Sequence, residues 1–185
     1  MYSIVEPGSQ GEQVGRLILA AIIVYALPAL PFGNYIIYPF MILTTWFHEM
    51  GHGLTAIVTG QQFEQLLIFA NGSGVAESFL NDDAGPLTRA AIAAGGPLAP
   101  VAVGSLLILA SSQKKFWHPA LYALAAAIVL SVAIYVRSIV GMVVLPLVAA
   151  LLVIIAVRAK DGLVRFSLQF LGVLAAMSML RDFNY

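Results

Sequence analysis

The stretch YIIYPFMILTTWFHEMGHGLTAIVTG, residues 35–60, is an apolar run interrupted by His48-Glu49-Met50-Gly51-His52. Two histidines at i and i+4 fall on one face of a helix, so both imidazoles reach a single zinc ion. Glu49 between them is placed as general base on a water at the ion's open position. The whole chain has three His and five Glu, and chance would produce this HExxH pattern roughly once in a thousand such sequences. Each ionisable side chain inside a membrane span costs at least ~2.5 kcal/mol on insertion scales, so three within five residues require a compensating role. The same cluster also suits a proton relay or the ion site of a small proton-coupled transporter. That reading calls for further charges deep in neighbouring spans, where only Arg137 and Asp182 occur.

Around this stretch the chain is membrane-like. Of its 185 residues 61% are hydrophobic and 10% charged, against about 45–50% and about 25% in soluble domains. Nine basic and nine acidic residues cancel, which speaks against nucleic-acid binding and against a disordered chain. Cysteine is absent, excluding disulfides and thiolate metal sites. The first residues lack the basic flank and apolar core of a cleaved signal peptide. The expected molecule is a multi-pass integral membrane protein of a cell (inner) membrane.

Helical spans need ~20 apolar residues. Pro28, Pro31, Gly33 and Asn34 divide the uncharged run from Leu17 to Phe47. The predicted spans are 15–31, 35–59, 90–112, 116–136, 138–157 and 165–183. Phe63–Phe69 and Val75–Leu80 flank Asn71-Gly72-Ser73-Gly74 and predict a β-hairpin over about 62–80. The fold class is therefore all-α polytopic, about six transmembrane helices with a short hairpin between spans two and three. Residues 1–185 form one membrane domain.

Zinc needs a third protein ligand beside His48 and His52. His118 sits beside Trp117 at a span boundary, as an interfacial residue would. The candidates are Asp182 and, as the alternative, Asp161. Asp182 lies about 25 Å along span six from Arg165, a depth comparable with that of His48 and His52 in span two, whereas Asp161 stays at the surface. Gly51, Gly53 and Gly60 are expected to admit a neighbouring helix. Ala94-Gly95-Gly96-Pro97-Leu98-Ala99-Pro100 is expected to break or distort span three. Thr44 and Thr45 are placed to bond the His48 ring or their own helix.

Taken together, FHEMGHGLTAIVTG, GSGVAES and AAGGPLAP resemble the site-2 protease family of intramembrane zinc metalloproteases, in particular its compact branch without a PDZ domain. The resemblance covers about residues 36–105. It implies that His48 and His52 bind one Zn2+ and that Glu49 activates water. The family's Gly-Pro-Leu-x-Asn motif is matched except that Pro100 stands where Asn is usual. The family's third ligand is an Asp, commonly in an Asn-Pro…Asp-Gly context; Asp161-Gly162 copies the dipeptide without that context, while the compact branch's late Asp maps to Asp182, which has no Gly after it. The implied function is hydrolysis of peptide bonds in membrane-embedded or membrane-adjacent segments of protein or peptide substrates, within the lipid bilayer. A non-proteolytic chaperone or scaffold of the same fold is the alternative.

Overall fold

The computed structural model describes residues 10–82 and 84–182, and of 179–182 the backbone alone. Helix α1 (Gln10–Ala26) runs into a 3-10 turn at Leu27–Ala29, and α2 (Gly33–Val58) follows. The chain turns between them on Phe32, held at φ +62°. Gly33 is required there, because a Cβ would lie 1.7 Å from the Leu27 carbonyl oxygen. Strands β1 (Gln62–Ile68) and β2 (Gly74–Phe79) come next, then α3 (Pro86–Ser111). A 3-10 connector, Lys114–Phe116, leads to α4 (Trp117–Ile134), α5 (Ile139–Arg158) and α6 (Asp161–Asp182). Pro86 opens α3 at a position where its missing N–H is harmless. Ser138 caps α5 by accepting from the Gly141 amide.

The strands pair antiparallel with Leu66 opposite Ala76 and Ile68 opposite Gly74, and a bulge falls between Phe63 and Gln65. At the turn, Asn71 accepts from the Ser73 amide (3.0 Å), and Gly72 supplies a φ of +88°. The other edge of β1 is covered. The Leu66 amide donates to the Tyr135 carbonyl (2.9 Å) and the Arg137 amide donates to the Leu66 carbonyl (3.0 Å). The α4–α5 connector thus acts as a third strand, and Phe63 stacks on Tyr135 at 4.3 Å. Strand β2 is left as the open edge of the sheet.

Helix α3 is sandwiched between α2 and α6, while α4 and α5 pack together beside α2 and β1. Ile42, Leu43, Leu66, Leu121, Ile128, Leu145, Leu152, Leu168 and Leu171 are fully buried between these elements. Backbones approach closely where side chains vanish. A Cβ on Gly51 would sit 2.3 Å from the Gly95 carbonyl oxygen, and one on Gly104 would sit 2.5 Å from that of Gly172. Such contacts replace the hydrophobic drive that is missing between helices in lipid.

Several expectations change. Helix α3 continues through Gly95, Gly96, Pro97 and Pro100 without a break. Each proline removes one amide from the ladder, but contact with α2 along this segment outweighs the local tendency to unwind. Gly51 does admit α3, whereas Gly53 makes room for the Phe63 ring of β1, and Gly60 turns the chain at φ +79° with nothing near it. Among the described residues, four helices are long and apolar enough to cross a bilayer: Gln10–Ala29, Pro86–Ser111, Lys114–Ile134 and Ile139–Arg158. The expected spans two and six, seen as α2 and α6, fall outside that group. In α2 the physical reason is its polar content, His48, Glu49 and His52. Residue 183, at the end of expected span six, lies outside the described residues.

The glycine contact gives a direct test. Gly51→Val is expected to lower stability by about 1–3 kcal/mol, as overpacking does. Gly15→Ala, where a Cβ meets nothing within 4 Å, is expected to leave it unchanged or slightly raised. Thermal unfolding of the detergent-solubilised protein reads both.

Candidate metal centre

Helix α2 carries His48, Glu49 and His52 to the level where α3 begins. One turn apart, the two imidazoles stand edge to face with ring centroids 4.8 Å apart, and their Nε2 atoms lie 3.1 Å from each other. The Nδ1 of His52 lies 2.7 Å from the Ile92 carbonyl oxygen. A carbonyl only accepts, so Nδ1 carries the proton and Nε2 of the neutral ring keeps its lone pair. That lone pair is directed towards His48. Gly96 makes the position possible, since a Cβ there would be 2.1 Å from the His52 Nε2.

Glu49 is only 8% exposed. Its side chain lies against Gly74, where a Cβ would come 2.6 Å from Glu49 Cγ. The hairpin turn is tied down over this face of α2. Thr45 Oγ1–H donates to the Gly72 carbonyl (2.6 Å), and Tyr38 O–H donates to the Ala70 carbonyl (3.0 Å). Thr45 therefore holds the hairpin, and Thr44 bonds back to the Met41 carbonyl (2.8 Å). Glu49 borders two hollows. One of about 150 Å3 is walled by Thr44, Thr45, His48, Gly72, Ser73, Gly74 and Ser178. The other, about 450 Å3, runs between β2 and the start of α3, past His52, Val75, Ala76, Ser78, Leu80 and Ile92.

The two histidines fit zinc. Zn–N bonds of ~2.0–2.1 Å at a tetrahedral angle put two ligand nitrogens about 3.3 Å apart, close to the 3.1 Å found. A ligand imidazole whose other nitrogen donates to a backbone carbonyl is also the usual supporting arrangement. Among the described residues no group of three His, Cys, Asp or Glu side chains is gathered to hold an ion. Asp161 is remote from the pair. It opens α6, is bonded to Lys114 at the surface, and that hydrogen bond holds its carboxyl below the usual range. From position 161 to Ser178, which lines the Glu49 hollow, α6 rises roughly 25 Å. Asp182 is the last residue of α6, one turn beyond Ser178 on the same face. Its side chain lies outside the described residues.

Four positions escaped the reading of the sequence. The Ile92 carbonyl carries no signature, because any residue has one. Ser178 looks like any small helix residue. Gly96 and Gly74 were visible as glycines, but their neighbours, His52 and Glu49, come from elsewhere in the chain. His118 stays near the chain connector as expected, half-buried at the start of α4.

No curated protein and no solved structure matches the chain. A family model described as peptidase M50B-like matches residues 16–185, nearly the whole length. This is the family of membrane metalloproteases that the site-2 protease resemblance indicated. With its mostly helical body and four bilayer-length helices, the chain is an integral membrane protein that belongs to the peptidase M50B-like family.

Proposed function

We propose that the protein is an intramembrane zinc endopeptidase acting on membrane-embedded or membrane-adjacent peptide segments. The observation that carries this reading is the His48–His52 nitrogen pair beside the buried Glu49, at the foot of a hollow bordered by an open strand edge. In this reading α2 and α6 cross the membrane with the other four helices, giving six spans in a cell (inner) membrane. Their polar residues face other parts of the protein.

His48, His52 and Asp182 would hold one Zn2+, which when bound polarises the scissile carbonyl and makes water a nucleophile near neutral pH. Glu49 takes the proton from the attacking water and hands it to the departing amine. Its burial beside Gly74 holds it where the two hollows meet. A helical substrate hides its carbonyls in its own hydrogen bonds and must be extended first. The open edge of β2 suits that need, because an added strand bonds backbone to backbone whatever its side chains. The hollow between β2 and Ile92 lies along that edge.

Zinc content of the purified protein and cleavage of a reconstituted library of single-span peptides, read by mass spectrometry, test this reading. The wild type is expected to carry one zinc; none would overturn the proposal. Glu49→Gln is expected to keep zinc and lose cleavage by about 10²–10⁴-fold. A scaffold of the same fold would instead show zinc without cleavage in the wild type. Asp182→Ala is expected to lose zinc and Asp161→Ala to keep it; the opposite pattern would move the third ligand to Asp161. Gly96→Ala, which drives a methyl into the His52 ring, is expected to reduce zinc content without replacing a ligand.

A further inference from the structure

A second cavity lies on the other side of α2. Helices α3 and α4 diverge from their connector and leave a groove of about 570 Å3, floored by Trp46, Phe47 and Met50. At 100° per residue their mean direction is opposite to that of His48, Glu49 and His52, and none of those three lines the groove. Its walls alternate small and large apolar side chains, among them Ala99 and Leu106 on α3 and Ala123 and Leu130 on α4. Two of its polar side chains satisfy one another. Trp46 Nε1–H donates to Ser131 Oγ (2.8 Å), and the Ser131 hydroxyl donates to the Ile128 carbonyl (2.8 Å). Apart from these and the Tyr135 hydroxyl the lining is apolar, which suits a hydrocarbon occupant.

Size and charge narrow the occupant further. From Ala99 to Ala110 the groove runs about 16 Å, the depth of one leaflet in a ~30 Å hydrocarbon core. A single extended acyl chain is thin enough to lie along it. The groove ends at the connector Lys114–Phe116, next to Ala110 and Ala120. That connector joins two helices of bilayer-crossing length, so it stands at the membrane surface, level with lipid phosphates. Lys114 is taken by Asp161. Lys115 lies over the Phe116 ring at 4.8 Å and is in no ion pair among the described residues. We infer that the groove holds one acyl chain of an anionic phospholipid whose phosphate sits on Lys115.

The chain has two tryptophans, so Trp117→Phe leaves Trp46 as a reporter inside the groove. In this background the protein is reconstituted into phosphatidylcholine vesicles containing a minor fraction of phosphatidylglycerol. The bromine-labelled acyl chains are placed on one lipid or the other at equal mole fraction. Trp46 is expected to be quenched at least twofold more by brominated phosphatidylglycerol. Ala123→Phe is expected to abolish quenching, while Val129→Phe, about 120° around α4 from Ala123 and outside the lining of the groove, leaves it intact and controls for folding. Lys115→Glu is expected to remove the preference for phosphatidylglycerol and keep the residual quenching. Equal quenching by both lipids, or none, overturns the inference. So does an Ala123→Cys variant, the sole cysteine in the chain, that cross-links to a second copy or a peptide substrate while Trp46 stays unquenched.

Discussion

The structure depends on the approach of α3 to α2 at Gly51, Gly95 and Gly96. At these points backbone meets backbone or imidazole with no space for a methyl group. The approach brings the Ile92 carbonyl within 2.7 Å of His52, and that bond decides which nitrogen of the ring is available for a ligand. It also forces α3 to stay helical through two prolines, because an unwound segment would leave α2 uncovered. Gly104 and Gly172 repeat the device between α3 and α6, which brings Ser178 to the Glu49 hollow. Helix packing by small residues therefore sets the chemistry as well as the shape.

The hairpin is the second element that the site needs. It is short, and a two-stranded ribbon has little stability alone. Here it is held from three directions. Thr45 and Tyr38 bond its turn, Phe63 fills the space above Gly53, and the α4–α5 connector pairs with β1. With the inner edge occupied, β2 is the edge that carries no further strand among the described residues, and it lies next to the hollow that Glu49 and His52 share. The hairpin thus links a buried carboxylate to a surface able to receive an extended chain.

Helix content, the hairpin and the order of elements were legible in the sequence, since each rests on local composition. Proline and glycine clusters mark the chain turns. The HExxH pattern was legible for the same reason, as i and i+4 are neighbours on any helix. Expectations failed where long-range contact outweighed a local tendency. The Gly95–Pro100 segment reads as a break when taken alone and becomes a helix when pressed on α2. Gly53 and Gly60 read alike, but one accommodates an aromatic ring and the other turns the chain.

Sequence alone determined the solvent, the secondary structure and the pair of histidines with a glutamate between them, because each follows from hydropathy or from the period of a helix. Only the tertiary structure decided which partners those residues meet. Ile92 sits 40 positions from His52 and Gly74 25 positions from Glu49, and no local rule couples such distances. The groove behind α2 is likewise invisible in sequence. It arises because α3 and α4 diverge, and the divergence is a property of how their small and large faces pack against a third helix.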